Sequence, residues 1–450
     1  MKKNNNTFWN ETMIKRVFAA IITLIILILI IVAALWFQNL YSEYQQRNTI
    51  IREGTTNTKT TLVVTFMNTE NSWTTAVSDA ITSFEKENED IEVKYSIKDE
   101  NGFYEDALNV LYARGELGDV TEMVNPSFFE RENLLSEMPE EVTSLGKVIS
   151  TYGGTKYGVG TVKYTAGIVY NKDIFKEYGL SEPRNYEEFL ELCETLKTKG
   201  ITPIALAGAN SWNVSVLLNY FCDNNVLVDD NNWFGNLLNG SASWTDDNAK
   251  TMFTQMKELI DLGYIDPLWE TTTDIMVPEM LINGTAAMSF TCGWMVNEIE
   301  HLDSSVNLGW FYLPDSDGNI NAHEEVYSYW TITKSCGEDE AKLDAAKRFL
   351  EYFYSDGVYE QMCQSLTGMP ITMRDTNVTY TSAQQEVIDK FVQADNVFSI
   401  SVHNSFVPQS FRRYLFEKIY PFLRNEIYVD NLCSLLDEQW NKVKSEVAHE

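Results

Sequence analysis

Residues 17–37 read VFAAIITLIILILIIVAALWF, 21 residues without a charge. At about 1.5 Å of rise per residue a helix of that length spans roughly 31 Å, which matches a hydrocarbon core of about 30 Å. Lys2, Lys3, Lys15 and Arg16 precede it, so the positive-inside rule leaves residues 1–16 in the cytoplasm and everything after Gln38 outside. A cleaved secretory signal is the competing reading. Signal h-regions run about 7–15 residues and end at small residues, whereas this run is longer and exits through Ala34-Leu35-Trp36-Phe37-Gln38. No cysteine stands near the exit to carry a lipid. The expectation is therefore an uncleaved, single-pass transmembrane helix at 17–37 in the cell membrane, with an extracellular domain behind it.

Charge then narrows the partners. Residues 1–40 carry a net +3 and the whole chain −31, so residues 41–450 carry −34. Such a field repels nucleic acid and anionic lipid head groups and favours solubility, so no nucleic-acid partner is expected. An acidic ligand is disfavoured unless a local basic pocket overcomes the field. About 390 residues follow residue 60, enough for two domains with substantial cores. The six cysteines (Cys193, Cys222, Cys292, Cys336, Cys363, Cys433) are scattered without a C-x-x-C pair, unlike a disulfide scaffold. Cys193 shares a helical face with Phe189 and Leu196, which predicts a buried thiol; one or two bridges remain open.

Residues 38–60 are polar with little periodicity and read as a stalk. Thr61 opens TLVVTFM, a run of strand length. Ala76/Val77, Ala80/Ile81 and Phe84 then recur at helical spacing, and IEVKYSI alternates like a strand. Strand–helix–strand is the unit of a parallel sheet with right-handed crossovers. Farther on, Asn185 with Glu188 predicts a capping box opening a helix through Lys199, followed by Gly200 and the apolar ITPIALAG. A helix after Asp246 turns Met252, Met256 and Leu259-Ile260 inward. Two more close the chain, the last from about Asn431 to Val447. The fold class is α/β, without internal repeats.

Catalytic signatures are missing. The four histidines (His301, His323, His403, His449) have no metal-spaced partner, and H-E-x-x-H, G-x-S-x-G, the Walker A pattern and G-x-G-x-x-G are absent. Asp315-Ser316-Asp317-Gly318-Asn319 resembles a calcium loop, but its glycine comes at position 4 instead of 6 and no Glu closes it, so it reads as a surface turn. Acidic pairs (Glu140-Glu141, Asp229-Asp230, Asp246-Asp247, Glu324-Glu325) would serve a glycosidase only if two carboxyls faced each other across a bond. In so acidic a chain they read as solvated loops and helix N-caps. No cofactor or metal is implied, and the chain is not expected to be an enzyme.

The feature above background is aromatic: 11 Trp and 23 Tyr, several beside Gly, Asn and Ser. The cases are Asn71-Ser72-Trp73, Asn210-Ser211-Trp212-Asn213, Cys292-Gly293-Trp294 and Tyr327-Ser328-Tyr329-Trp330. A flat ring at a loop tip flanked by amides and hydroxyls suits a sugar, whose C–H face stacks while its hydroxyls find polar partners. Together these motifs predict a carbohydrate-binding cleft.

From Thr61 onward the order of motifs resembles the extracellular solute-binding proteins of carbohydrate ABC transporters, the maltose-binding-protein-like group. The likeness is carried by Lys156-Tyr157-Gly158-Val159-Gly160, by Gly167-Ile168-Val169-Tyr170-Asn171-Lys172-Asp173-Ile174-Phe175, and by Pro183-Arg184-Asn185-Tyr186-Glu187-Glu188-Phe189. Asn283-Gly284-Thr285-Ala286-Ala287-Met288 with Gly293-Trp294, and Thr367-Gly368-Met369-Pro370, continue it. Gly118-Asp119-Val120 departs from the usual Pro-Asp-Val.

The resemblance implies two α/β lobes around a cleft, a type II periplasmic-binding-protein-like fold, joined by three crossings near Val162–Thr165, Tyr329–Thr331 and Pro370–Arg374. Lobe 1 would comprise 61–163 with 331–371, and lobe 2 would comprise 164–330 with 372–450. Ligand would sit at the carboxyl ends of the strands, with hinge closure around it. Carried over residue by residue, the ligand contacts are Asn68, Glu70, Asn71 and Asn125 from lobe 1, Tyr164 at the first crossing, Trp212 and Trp294 from lobe 2, and Trp330 at the second crossing. The function so implied is capture of a neutral sugar or oligosaccharide and its delivery to ABC permease subunits, with the membrane reached through the N-terminal helix. A sensor ectodomain working with a signalling protein and a glycoside hydrolase are the alternatives.

Overall fold

A computed structural model describes residues 59–68, 71–99, 104–399 and 407–447. The 17–37 segment and almost all of the 38–60 stalk lie outside the described residues, among which no helix is long and apolar enough to cross a membrane.

Among the described residues, twelve strands form two sheets: β1 (Thr60–Asn68), β2 (Ile91–Asp99), β3 (Val120–Met123), β4 (Ile149–Tyr152), β5 (Thr155–Gly160), β6 (Lys163–Asn171), β7 (Thr202–Ile204), β8 (Ala286–Cys292), β9 (Leu308–Phe311), β10 (Asn321–Val326), β11 (Tyr329–Ile332) and β12 (Asn396–Phe398). The first sheet runs β2-β1-β3-β11-β5-β4; the second runs β12-β10-β6-β8-β7, with β9 also on β6. β1 pairs in parallel with β2 and β3, while β11 is antiparallel to β3 and β5. Helices pack on both sheets, giving a two-lobed α/β molecule.

Local chemistry accounts for the elements. The helix Asn71–Glu87 buries Ala76, Val77, Ala80, Ile81 and Phe84 beside β1 and β2, the 3.6-residue stripe read from the sequence. Asn185 caps the helix Tyr186–Thr198 by accepting from the Glu188 amide at 2.9 Å. The reciprocal half of the capping box is not made, because the Glu188 carboxylate instead accepts from the Arg184 amide and guanidinium. Gly167 on β6 has no room for a side chain: a Cβ there would lie 2.6 Å from the Trp310 ring. All six cysteines are buried, and none is joined in a disulfide. Asp315 is buried, and its carboxylate accepts from the Asp317 and Asn319 amides and from the Asn319 and Asn321 side chains. The calcium-like string is thus an Asx-type turn whose acceptors are already used.

The chain passes between the sheets at three places. Thr161 and Val162 link β5 to β6, and Tyr327 and Ser328 link β10 to β11. These two passages run side by side, with Thr161 N donating to Ser328 O at 2.8 Å and Tyr327 N to Val162 O at 2.8 Å. The third segment is tied to them where Lys163 and Met369 exchange backbone hydrogen bonds of 3.0 and 2.6 Å. Its hand-over comes later than Pro370–Arg374. Ile371 O still accepts from Lys147 N, Met373 N donates to Leu145 O, and the Arg374 guanidinium is held by Glu360. The helix Ser382–Val392 on the second sheet follows only after residues 375–381.

Candidate functional site

Four aromatic motifs scattered along the sequence meet at the junction of the lobes. Trp73 stands in the first turn of Asn71–Glu87, Tyr327 in the second passage, Trp212 in the first turn of the helix Ser211–Cys222, and Trp294 at the start of the helix Trp294–Leu302 after β8. Tyr164, second residue of β6, joins them. The Tyr164 and Trp294 ring centroids lie 4.6 Å apart, Trp212 and Trp294 5.8 Å, Trp294 and Tyr327 5.7 Å, and Trp73 and Tyr327 5.1 Å. The edge-to-face contacts place ring edges against π-faces, the favoured arrangement. Trp294 is only 7% exposed, since its neighbours cover most of its ring.

Beneath this cluster lies Glu122, the third residue of β3 and fully buried. It accepts hydrogen bonds from Ser328 Oγ, from the Met67 amide at 3.0 Å and from Trp73 Nε1 at 3.3 Å. Burial pushes its carboxyl up to about 7, although all three donors favour the ionised form. On the lobe 2 side the Trp212 indole hydrogen-bonds Asp274, a carboxyl raised chiefly by burial.

Beside the aromatic cluster, a cavity of about 790 Å³ opens between the lobes. The lobe of the first sheet contributes Asn125, Glu130, Ser150 and Tyr329, and that of the second contributes Lys163, Glu324 and Glu325, so the expected bounds at 163/164 and 330/331 move to the passages at 161–162 and 327–328. Lys163 and Glu324 form an ion pair across β6 and β10. Tyr164 Oη donates to Glu325 at 2.7 Å. Burial raises the Glu130 carboxyl, opposed by the hydrogen bond from Ser150. Asn125 accepts from the Ser127 amide at 3.0 Å and from Ser127 Oγ at 2.6 Å, opening the short helix Ser127–Arg131. It also lines a second cavity of about 400 Å³, walled by Phe128 and Phe129 on one side and Arg412 and Arg413 on the other. An ion pair between Asp106 and Arg413, seconded by Gln409, joins the two walls there.

Tyr164, Trp212 and Trp294 thus come together, and Asn125 lies across the polar cavity from β6 and β10. Asn68 ends β1 and Asn71 opens the helix that follows, while Glu70 lies outside the described residues. Trp330 does not face the cleft. It is 0% exposed and packs edge-on against Phe349 and Phe353 in the lobe 1 core. Successive strand residues point to opposite faces, and on β11 it is Tyr329 that reaches the cavity.

The ligand contacts expected from the sequence left out Lys163, Glu324, Glu325 and also Tyr327, although Tyr327 stood in one of the aromatic motifs. Glu324 and Glu325 are a correction: this acidic pair is not a solvated loop but part of β10, registered against Thr165 and Tyr164. Ala322-His323-Glu324-Glu325-Val326 shows no alternation of apolar and polar residues, so periodicity carried no signal for this strand. Among the described residues, no group of three His, Cys, Asp or Glu side chains is arranged to hold a metal ion.

Residues 68–360 match the model of the bacterial extracellular solute-binding proteins. The chain belongs to this family. It is 25% identical over 321 residues to the multiple sugar-binding protein of Streptococcus mutans serotype c, covering 66% of this chain and 74% of that one. The melibiose/raffinose/stachyose-binding protein MelE of Bacillus subtilis is 21% identical over 307 residues, covering 64% and 68%. Among solved structures, a chitin oligosaccharide binding protein superposes with a TM-score of 0.76 at 19% identity, over 86% of this chain and 100% of that one.

Proposed function

We propose that this solute-binding protein captures a neutral sugar or short oligosaccharide and presents it, closed between the lobes, to the permease of an ABC transporter. The observation that carries the reading is the convergence of Tyr164, Trp212, Trp294 and Tyr327 beside a cavity lined by polar groups of both lobes. Aromatic faces take the C–H side of a pyranose, and the amide and carboxylate groups take its hydroxyls. Lys163 is paired with Glu324 and Glu325 with Tyr164, an arrangement suited to an uncharged ligand. The names of the relatives, a multiple sugar-binding protein and a melibiose/raffinose/stachyose-binding protein, point to the same ligand class. No bond is made or broken in this role.

The expected dissociation constant is about 0.1–10 μM, or roughly −8 to −10 kcal/mol, tight enough to scavenge and loose enough to release. Calorimetric titration of the full chain with neutral, acidic and amino sugars tests it. Micromolar binding within the neutral group supports the reading, and affinity weaker than millimolar for every sugar sinks it.

The reading includes anchoring by residues 17–37, which holds the binder near its permease and raises its effective concentration there. Carbonate-washed membranes retaining a chain with an intact N-terminus are the expected result; release of a shortened chain contradicts it.

A further inference from the structure

Behind the cleft, lobe 2 holds a chain of charged groups where a core would ordinarily be apolar. Asp223 Oδ2 lies 2.9 Å from His323 Nδ1, His323 Nε2 lies 3.3 Å from Glu325 Oε1, and Glu325 Oε2 accepts from Tyr164 Oη at 2.7 Å. The Asp223 and His323 side chains are 3% and 5% exposed, and that of Glu325 is 16% exposed where it reaches the 790 Å³ cavity. Burying such ions carries a desolvation penalty that a hydrophobic packing of the same volume avoids, so their presence calls for a role beyond cohesion.

The elements that carry them are those that carry the site. His323 and Glu325 alternate on β10, with Glu325 registered directly against Tyr164 on β6. Asp223 begins a π-helical turn at the end of the helix Ser211–Cys222, whose first turn holds Trp212. Single π-turns of this kind recur at functional sites. Burial alone would pull the imidazole pKa down, but Asp223 and Glu325 outweigh it and hold His323 protonated. The charge of Arg412, buried on the helix Gln409–Leu423, also acts on Glu325.

We propose that Asp223, His323 and Glu325 form a relay that positions the Tyr164 ring for ligand, with Glu325 as a specificity-determining acceptor for a ligand hydroxyl. A cationic imidazole with a carboxylate on each nitrogen fixes the Glu325 carboxylate in place, and Glu325 in turn fixes the phenol. With its proton committed to Glu325, the phenol meets ligand as an acceptor, as does the carboxylate. The group opposite them must then be a donor, which a sugar hydroxyl is and a carboxylate is not. The relay acts through Tyr164 and so makes Asp223 and His323 positioning residues. The ligand class rests on the sugar-binding reading; the positioning does not.

Two measurements separate the claims. In the unliganded full chain, tyrosine-ring labelling identifies Tyr164 by the signal lost in Tyr164→Phe, and imidazole nitrogen spectra report His323. The expected result at pH 8 is a doubly protonated His323 and a Tyr164 ring signal that shifts in His323→Gln. Glu325→Gln, at the partly exposed end, does the same if His323→Gln fails to fold. A neutral imidazole, or a Tyr164 signal unmoved in both variants, overturns the relay whatever the ligand.

Calorimetry with raffinose and a neutral sugar panel then gives the second arm. Tyr164→Phe and His323→Gln are each expected to weaken binding about 5- to 10-fold, the scale of one lost hydrogen bond. The double variant should be little worse than either, since both remove the same interaction. Losses that multiply would make His323 merely structural and overturn the positioning claim. If the ring signals shift as expected but no sugar binds, the relay stands and the sugar reading fails.

Discussion

The aromatic cluster and the polar cavity beside it, the two walls of the proposed binding site, are built on opposite principles. The aromatic wall, Tyr164, Trp212, Trp294, Tyr327 and Trp73, is almost dry: its rings cover one another, and Trp294 keeps only 7% of its surface exposed. The polar wall, Asn125, Glu130, Lys163, Glu324 and Glu325, surrounds open volume and holds its charges in pairs or hydrogen bonds. On the proposed reading, the first offers stacking area through Tyr164 and Trp212, its partly exposed members, and little discrimination. The second supplies discrimination, because a hydroxyl that fails to find its partner there leaves a buried polar group unpaired, at about 1–3 kcal/mol. On that reading, a ligand with one apolar and one hydroxylated face would satisfy both walls at once.

Variants on each side sharpen that comparison. The largest loss of stability is expected from Trp330→Ala, which empties a site deep in the lobe 1 core and should cost about 3–5 kcal/mol in denaturant unfolding. The fraction that still folds should bind ligand with unchanged affinity. A selective loss of binding would move Trp330 into the site after all.

Trp294→Ala should also destabilise, but its distinguishing effect is on ligand. A loss of about 2–4 kcal/mol, roughly 30- to 1,000-fold in the dissociation constant, is the scale of a central tryptophan. Unchanged affinity would reduce the aromatic wall to packing.

Glu122 connects that wall to the hinge and should make stability depend on pH. Its native pKa, near 7, stands above the ordinary carboxyl value of 4.5, so the folded state holds the proton between those values while the unfolded state does not. Stability should therefore fall as pH rises from about 4.5 through 7, on the order of 2–3 kcal/mol over that window. Glu122→Gln should flatten this slope and melt higher than the native chain at pH 8. An equal slope in the variant would mean that other groups carry the dependence.

The smallest effect belongs to Lys163→Met on the polar wall. Lys163 is about a third exposed, and such pairs contribute less than about 1 kcal/mol to stability. A melting point within a degree or two of the native one and a modest loss of affinity are expected. A collapse of the fold would show that the pair holds the hinge strands together.

How much of this was legible in the sequence also divides along the two walls. Short motifs of an aromatic residue beside Asn, Ser or Gly announced the aromatic wall, because such pairings are unusual in a core. The parallel β1–β2 unit was equally plain, since its two periods change cleanly from strand to helix to strand. The polar wall left no comparable mark. In a chain carrying 65 Asp and Glu, Glu324-Glu325 looks like any solvated pair until the register of β10 on β6 sets Glu325 opposite Tyr164. Placing Trp330 in the cleft failed for a related reason. Its place at the second crossing was visible, but which of Tyr329 and Trp330 faces the cavity depends on the pairing of β11 with β3 and β5, a long-range fact. The third passage came later than Pro370–Arg374 because backbone bonds from Leu145 and Lys147 hold that stretch to lobe 1.

The central claim, that both walls close on one neutral sugar, is tested most directly by thermal unfolding of the full chain against neutral mono- and oligosaccharides, with Trp294→Ala and Glu325→Gln in parallel. A ligand at about 100 times its dissociation constant adds roughly 2.7 kcal/mol, which the melt registers as a shift of several degrees. The account predicts that shift for one neutral sugar class, with its loss in Trp294→Ala and its reduction in Glu325→Gln. A shift that survives both substitutions would contradict it, as would a native chain that no neutral sugar stabilises.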